Sequence, residues 1–188
     1  MRILIAGLLG AIAMFVWTAI AHMATPLAYT GISKMANEKA VLAAMTTDNV
    51  GAKPGLYFYP WIDPKDSKGM EKYAALAKVN PTGMLLYHPL GQSMGDDMTP
   101  MMIKEFLKQL AQALIAAWIA SMIAMGFVTR AAAVTAIGFS AGIATNMSYW
   151  NWYGFPLDYT LAQVTIELVS GIVAGLAIAW WLGRAAKA

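Results

Sequence analysis

Five polar side chains lie inside otherwise apolar stretches of this chain: His22, Gln112, Asn146, Gln163 and Glu167. In a hydrocarbon setting such groups must be paired, so they mark either a polar clamp between helices or an intramembrane site. Asn146 closes a series with Gly138 and Gly142 at steps of four, and Gln163, Glu167, Gly171, Gly175 and Ala179 form a second series with the same step. Residues four apart share one face of an α-helix. Folding the chain back between Trp152 and Pro156 sets the two series antiparallel. Asn146 then falls near Gln163, Gly142 near Glu167, and Gly138 near Gly171. The spacing predicts a helix-packing seam at Gly138, Gly142, Gly171 and Gly175, with Asn146, Gln163 and Glu167 in one hydrogen-bond network. Glu167 falls about seven residues past the outer helix start, or ~10 Å deep at ~1.5 Å per residue. His22 ends a similar stripe, Ala6, Gly10, Met14, Thr18 and His22.

Other chemistry is thinner. His88, Met94 and Met98, with Met101 and Met102 nearby, offer imidazole and thioether donors that suit Cu(I). Their spacing matches no established motif, and methionine is also a common filler of membrane helices. Asp96-Asp97, in a glycine-rich loop, is either a divalent-ion site or a solvated pair. Ser140 sits in Gly-Phe-Ser-Ala-Gly, but a nucleophile elbow needs a preceding strand and a histidine partner, and this segment reads as mid-helix. The sequon Asn146-Met147-Ser148 reads as buried. There is no cysteine, no glycine-rich phosphate loop and no His-x-x-x-His. The expectation is a non-enzymatic protein without a cofactor, and no motif ties the chain to a known family.

The elements that must position these residues are apolar helices. Of the 188 residues 59% are apolar and 12% charged, well below the roughly 25% charged residues of soluble domains. Ile3–Ala24 is long enough to cross a ~30 Å hydrocarbon core, and longer than the apolar part of a signal peptide. Thr99-Pro100 reads as an N-cap and first helical residue, opening a helix that meets the membrane near Leu107 and leaves near Phe127. Thr129-Arg130 reads as a tight turn, Ala131–Tyr149 as the third span and Tyr159–Leu182 as the fourth. The aromatic run from Trp150 to Pro156 has the composition of a membrane–water boundary. Between the first two spans, residues 25–99 read as helix, strand, helix, strand. The expected fold is thus an all-α integral membrane protein, a four-helix transmembrane bundle with a small extracytoplasmic α/β insert.

Arg2, Arg130, Arg184 and Lys187 all fall on one side of that topology, which the positive-inside rule makes cytoplasmic. Both termini then face the cytoplasm, most simply of a bacterial inner membrane, and the insert faces outward. The five polar residues come from all four helices and lie in the outer half. The inner half lacks ionisable groups, which argues against a proton-coupled pump. A net charge of +3 without a basic stripe gives no reason to expect nucleic acid.

Three functions fit. The first is an accessory or assembly subunit of a larger membrane complex, with lipid and other membrane subunits as partners and Trp150, Trp152, Tyr153 and Tyr57 at the interface. The second is a transporter or small-ligand binder using the outer polar layer. The third is an outward copper-binding protein using His88, Met94 and Met98. A cavity between helices lined by His22, Asn146 and Glu167 favours the second; burial of the aromatic residues against another chain favours the first.

Overall fold

The computed structural model describes residues 1–90, 97–124 and 126–184. The chain is mostly helical, 68%, with a small two-stranded sheet. It divides into two units, Ser33–Asp96 and the remainder, Met1–Ile32 with Asp97–Ala188.

The larger unit is built from four long helices: α1 (Arg2–Ala24), α4 (Thr99–Met122), α5 (Phe127–Tyr153) and α6 (Leu157–Arg184). Helix α6 packs on α5 and on α1, and α1 packs in turn on α4. The buried face is made of small residues: Ala6, Ala11, Ala113, Ala117, Ala120 and Ala174 are all essentially covered. The large aliphatics point outward instead, as in the exposed row Leu4, Leu8, Ile12, Val16 and Ile20 along α1. Such an arrangement is unfavourable in water and natural in lipid, where helices gain nothing by hiding leucine and associate through close backbone approach. Helices α1, α5 and α6 are each long and apolar enough to cross a membrane.

Helix α4 does not meet that measure, because Lys104, Glu105, Lys108, Gln109 and Gln112 crowd its first half. It nevertheless runs antiparallel along α1. Leu114 lies at Gly7, Ala113 at Gly10, Phe106 edge-on to Phe15 at 5.6 Å, and Gln109 at Thr18.

Helix boundaries differ from the sequence expectation at both ends of α5. Helix α4 stops at Met122, short of Phe127, and α5 begins at Phe127, so Thr129-Arg130 is helical rather than a turn. The corner lies between Met122 and Phe127, before the expected Thr129-Arg130, and Arg130 Nε closes it by donating to the Ile123 carbonyl at 3.0 Å. At the other end the helix absorbs Trp150–Tyr153 and ends at Gly154, whose φ of 69° is a left-handed cap that glycine adopts without strain. Most of the aromatic belt is therefore helical. Thr99 is the first helical residue and not the cap; the Asp97 carboxylate takes its N–H at 2.8 Å.

Residues 25–32, expected in the insert, belong to the helical unit. Thr25 caps a 3₁₀ turn, Pro26–Ala28, and Gly31, at φ 77°, seats against Tyr159 and Asp158 at the start of α6. At the opposite end of the bundle, Arg2 donates to the Leu182 carbonyl, Trp181 Nε1 donates to the Arg2 carbonyl at 3.2 Å, and Arg184 stacks over Trp180 at 4.6 Å.

The smaller unit holds α2 (Glu38–Ala44), β1 (Gly55–Tyr59), α3 (Gly69–Ala77) and β2 (Gly83–Tyr87). The strands pair antiparallel with Tyr57 opposite Leu85. Asn37 caps α2, accepting from the Ala40 N–H at 3.4 Å. Tyr87 anchors the sheet: it is buried, meets Tyr57 edge-on at 6.2 Å, and donates to the Met45 carbonyl at 3.2 Å. Asp66 organises the turn into α3. Its carboxyl is held below the usual carboxylate range, chiefly by the Lys72 ammonium and then by the Lys68 N–H, against a slight opposing desolvation. A depressed folded pKa gives stability that is complete above the unfolded value and disappears as pH falls through the folded one. Amide-exchange protection of α3, corrected for intrinsic rates, should therefore fall as pH drops below about 4, and Asp66→Asn should remove that acid dependence. An unchanged acid limb in the variant would exclude this role.

A polar cavity between helices as candidate site

The seam between α5 and α6 forms by direct backbone contact. A β-carbon placed on Gly138 would lie 3.0 Å from the Gly171 α-carbon, and one on Gly175 would lie 2.6 Å from the Ala131 carbonyl oxygen. Gly142 receives the stem of Glu167, whose β-carbon lies 2.8 Å from the place a Gly142 β-carbon would occupy. Thr135 Oγ1 donates to the Ala131 carbonyl of its own helix at 2.9 Å and lies 3.4 Å from the Gly171 carbonyl across the seam.

The expected network of Asn146, Gln163 and Glu167 is not formed among the described residues. Asn146 Nδ2 donates instead to the Gly142 carbonyl of its own helix at 2.9 Å. A short amide in a helix reaches the carbonyl one turn back without ordering a second helix, so the local bond prevails over the interhelical one.

His22, Gln112, Gln163 and Glu167 do come together, on a different surface. They line an open-sided cavity of about 410 Å³ between α1, α4 and α6. Asn146 is absent from its wall, to which α5 contributes no residue. A second space of about 190 Å³ lies between α4, α5 and α6, and shares Met14, Gln112 and Glu167 with the first.

The strongest polar element of the cavity wall was not anticipated. Gln109 is 1% exposed, the most deeply buried amide of the bundle. Its Nε2 donates to Thr18 Oγ1 and to Glu105 Oε1, both at 2.9 Å, and the same Glu105 oxygen accepts from Lys108 Nζ at 2.8 Å. The carboxylate can only accept, which fixes the orientation of the Gln109 amide and commits both its hydrogens. Gln109 Oε1 is left buried without a donor. The signal for Gln109 was present in the sequence: it continues the apolar face Phe106, Leu110, Ala113 and Ala117, whereas Gln112 lies off that face and is exposed. His22 is also exposed, with Nδ1 2.9 Å from the Thr18 carbonyl.

The remaining candidates lie elsewhere. Trp150, Trp152 and Tyr153 are exposed, Trp152 at 78%, while Tyr57 is half-buried and committed to its own small unit. His88 follows β2 in the smaller unit, Met98 precedes α4 in the larger one, and Met94 and Asp96 lie outside the described residues. Among the described residues no group of three His, Asp or Glu side chains is placed to hold a metal ion.

No protein-family model, curated protein or solved structure matches this chain. What the geometry itself defines is a helical protein with three helices able to cross a membrane. Within its bundle it carries a partly polar cavity.

Proposed function

We propose that this is a four-span integral membrane protein that binds a small ligand in the cavity between α1, α4 and α6. The observation that carries the reading is the convergence of Thr18, His22, Glu105, Gln109, Gln163 and Glu167, drawn from three helices, on one cavity of about 410 Å³. That volume lies within the range of small-molecule sites. Support for a fourth crossing by α4 comes from its antiparallel course beside α1. Support for the orientation comes from Arg2 and Arg184 meeting at one end of the bundle, which the positive-inside rule assigns to the cytoplasm. The cavity then lies in the outward half, and the protein is a binder or a carrier, not an enzyme.

A role as an accessory subunit is the second reading. It draws on the exposed Trp150, Trp152 and Tyr153, a composition shared by protein interfaces and by lipid-facing belts. Native mass spectrometry of the protein extracted from its own membranes in mild detergent separates the two. The ligand reading expects the chain alone or as a homo-oligomer with a small-molecule adduct. Foreign subunits at fixed stoichiometry and no adduct would instead establish the accessory role.

A further inference from the structure

We propose that the cavity takes an organic cation, an amine-type ammonium head on a short apolar body. This rests on the cavity being a ligand site and adds the chemistry of the ligand.

Charge is the first reason. Three residues of fixed charge line the cavity: Glu105, Lys108 and Glu167. Glu105 and Lys108 neutralise each other at 2.8 Å. Glu167 remains, so the wall carries one uncompensated carboxylate. A carboxylate in the wall of a partly apolar cavity is stabilised by a cation that brings its own donors.

Hydrogen-bonding capacity points the same way. Two donor groups are already engaged: Lys108 with Glu105, and both amide hydrogens of Gln109 with Thr18 and Glu105. The Thr18 carbonyl can only accept, so His22 Nδ1 carries a proton and is engaged within its own helix. Acceptors for an ammonium group with two or three N–H donors are the Glu167 carboxylate and the amide oxygens of Gln112 and Gln163, all residues of the wall. An anion would meet the like charge of Glu167.

The rest of the lining defines the body. Met14, Phe15, Met23, Met102 and Ile166 make the wall apolar and soft, and thioethers adapt to irregular aliphatic or aromatic shapes. An aromatic face such as Phe15 also tolerates a nearby cation. The volume admits a head with a short chain or single ring.

The test uses the full chain in lipid nanodiscs, with empty nanodiscs subtracted, and three probes of matched body: hexylammonium, hexanol and hexanoate. Hexylammonium should bind saturably and at least about tenfold more tightly than hexanol, and hexanoate should not bind. Glu167→Gln should weaken hexylammonium by at least about tenfold and leave hexanol unchanged. Where that variant does not fold, Gln112→Lys, at an exposed wall position, should weaken hexylammonium by a similar factor. Equal binding of hexanol or hexanoate, or variants with unchanged hexylammonium affinity, overturns the cation assignment and leaves the ligand site standing. Failure of all three probes to saturate overturns the ligand site as well.

Discussion

Gly175→Leu should separate α5 from α6 and destabilise the protein by about 3 kcal/mol or more, beyond the usual cost of overpacking. At this position a β-carbon would lie 2.6 Å from the Ala131 carbonyl oxygen, and its next neighbours are Thr135 Oγ1 at 3.2 Å and the Ala131 carbonyl carbon at 3.3 Å. Two of these three atoms are backbone. A side chain could rotate away, but a helix carbonyl cannot move without carrying its helix. The whole α5–α6 seam would have to open, losing the Gly138–Gly171 approach and the Thr135–Gly171 contact with it. Even Gly175→Ala should cost about 1–3 kcal/mol. Gly183 is the internal control, being in the same helix with nothing within 4 Å of an added β-carbon. Gly183→Ala should be neutral, or stabilising by up to about 1 kcal/mol through helix propensity. Unfolding in mixed micelles with increasing dodecyl sulfate, followed by tryptophan fluorescence, measures both. A Gly175→Ala protein as stable as Gly183→Ala would show that the seam is not close-packed.

The second large effect is expected where α1 meets α6, and it is a reciprocal one. Ile178 is the largest fully buried side chain of the core, at 0% exposure, and Gly10 lies beneath it. A β-carbon on Gly10 would lie 2.8 Å from Ile178 Cδ1 and 2.9 Å from its Cγ1. Ile178→Ala should cost about 2 kcal/mol, the low end of the range for buried aliphatic truncation, because the separated helix would also bury this side chain in lipid. Gly10→Ala should cost about 1 kcal/mol, less than at Gly175, since the obstructing atoms end a flexible side chain. The double variant Gly10→Ala/Ile178→Val moves a methyl group from one side of the contact to the other. Its cost should fall below the sum of its single substitutions by about 0.5–1 kcal/mol. Strict additivity would mean that the two residues do not touch in the folded protein.

These two contacts also show what could be read in advance. The register of α5 on α6 was legible because small residues recur every fourth position on both arms and the turn between them is short. Few alignments then remain, and each is local in sequence. The alternation of helix and strand between residues 38 and 87 was legible from turn residues and from Asn37 before its helix. The corner between α4 and α5 was not, because Ile123–Gly126 is as apolar as the helices it joins. Its position depends on Arg130 reaching the Ile123 carbonyl. Nor was the fate of Asn146 legible, since its own helix offered a nearer acceptor than α6.

By itself the sequence determined the kind of molecule and the helix faces. A composition of 59% apolar and 12% charged residues, with stripes of small and polar residues at helical spacing, selects helices that associate in a nonpolar medium. Only the tertiary structure decided which polar residues meet. Gln109 finds Thr18 across 91 residues of chain, and that pairing admits Glu105 and Lys108 to the wall while leaving Asn146 outside it. The physical reason is that helical periodicity states which residues share a face but not which helix that face will meet. The choice of neighbour is made by packing among all the helices at once, where α1 turned out to be the element joining α4 to α6.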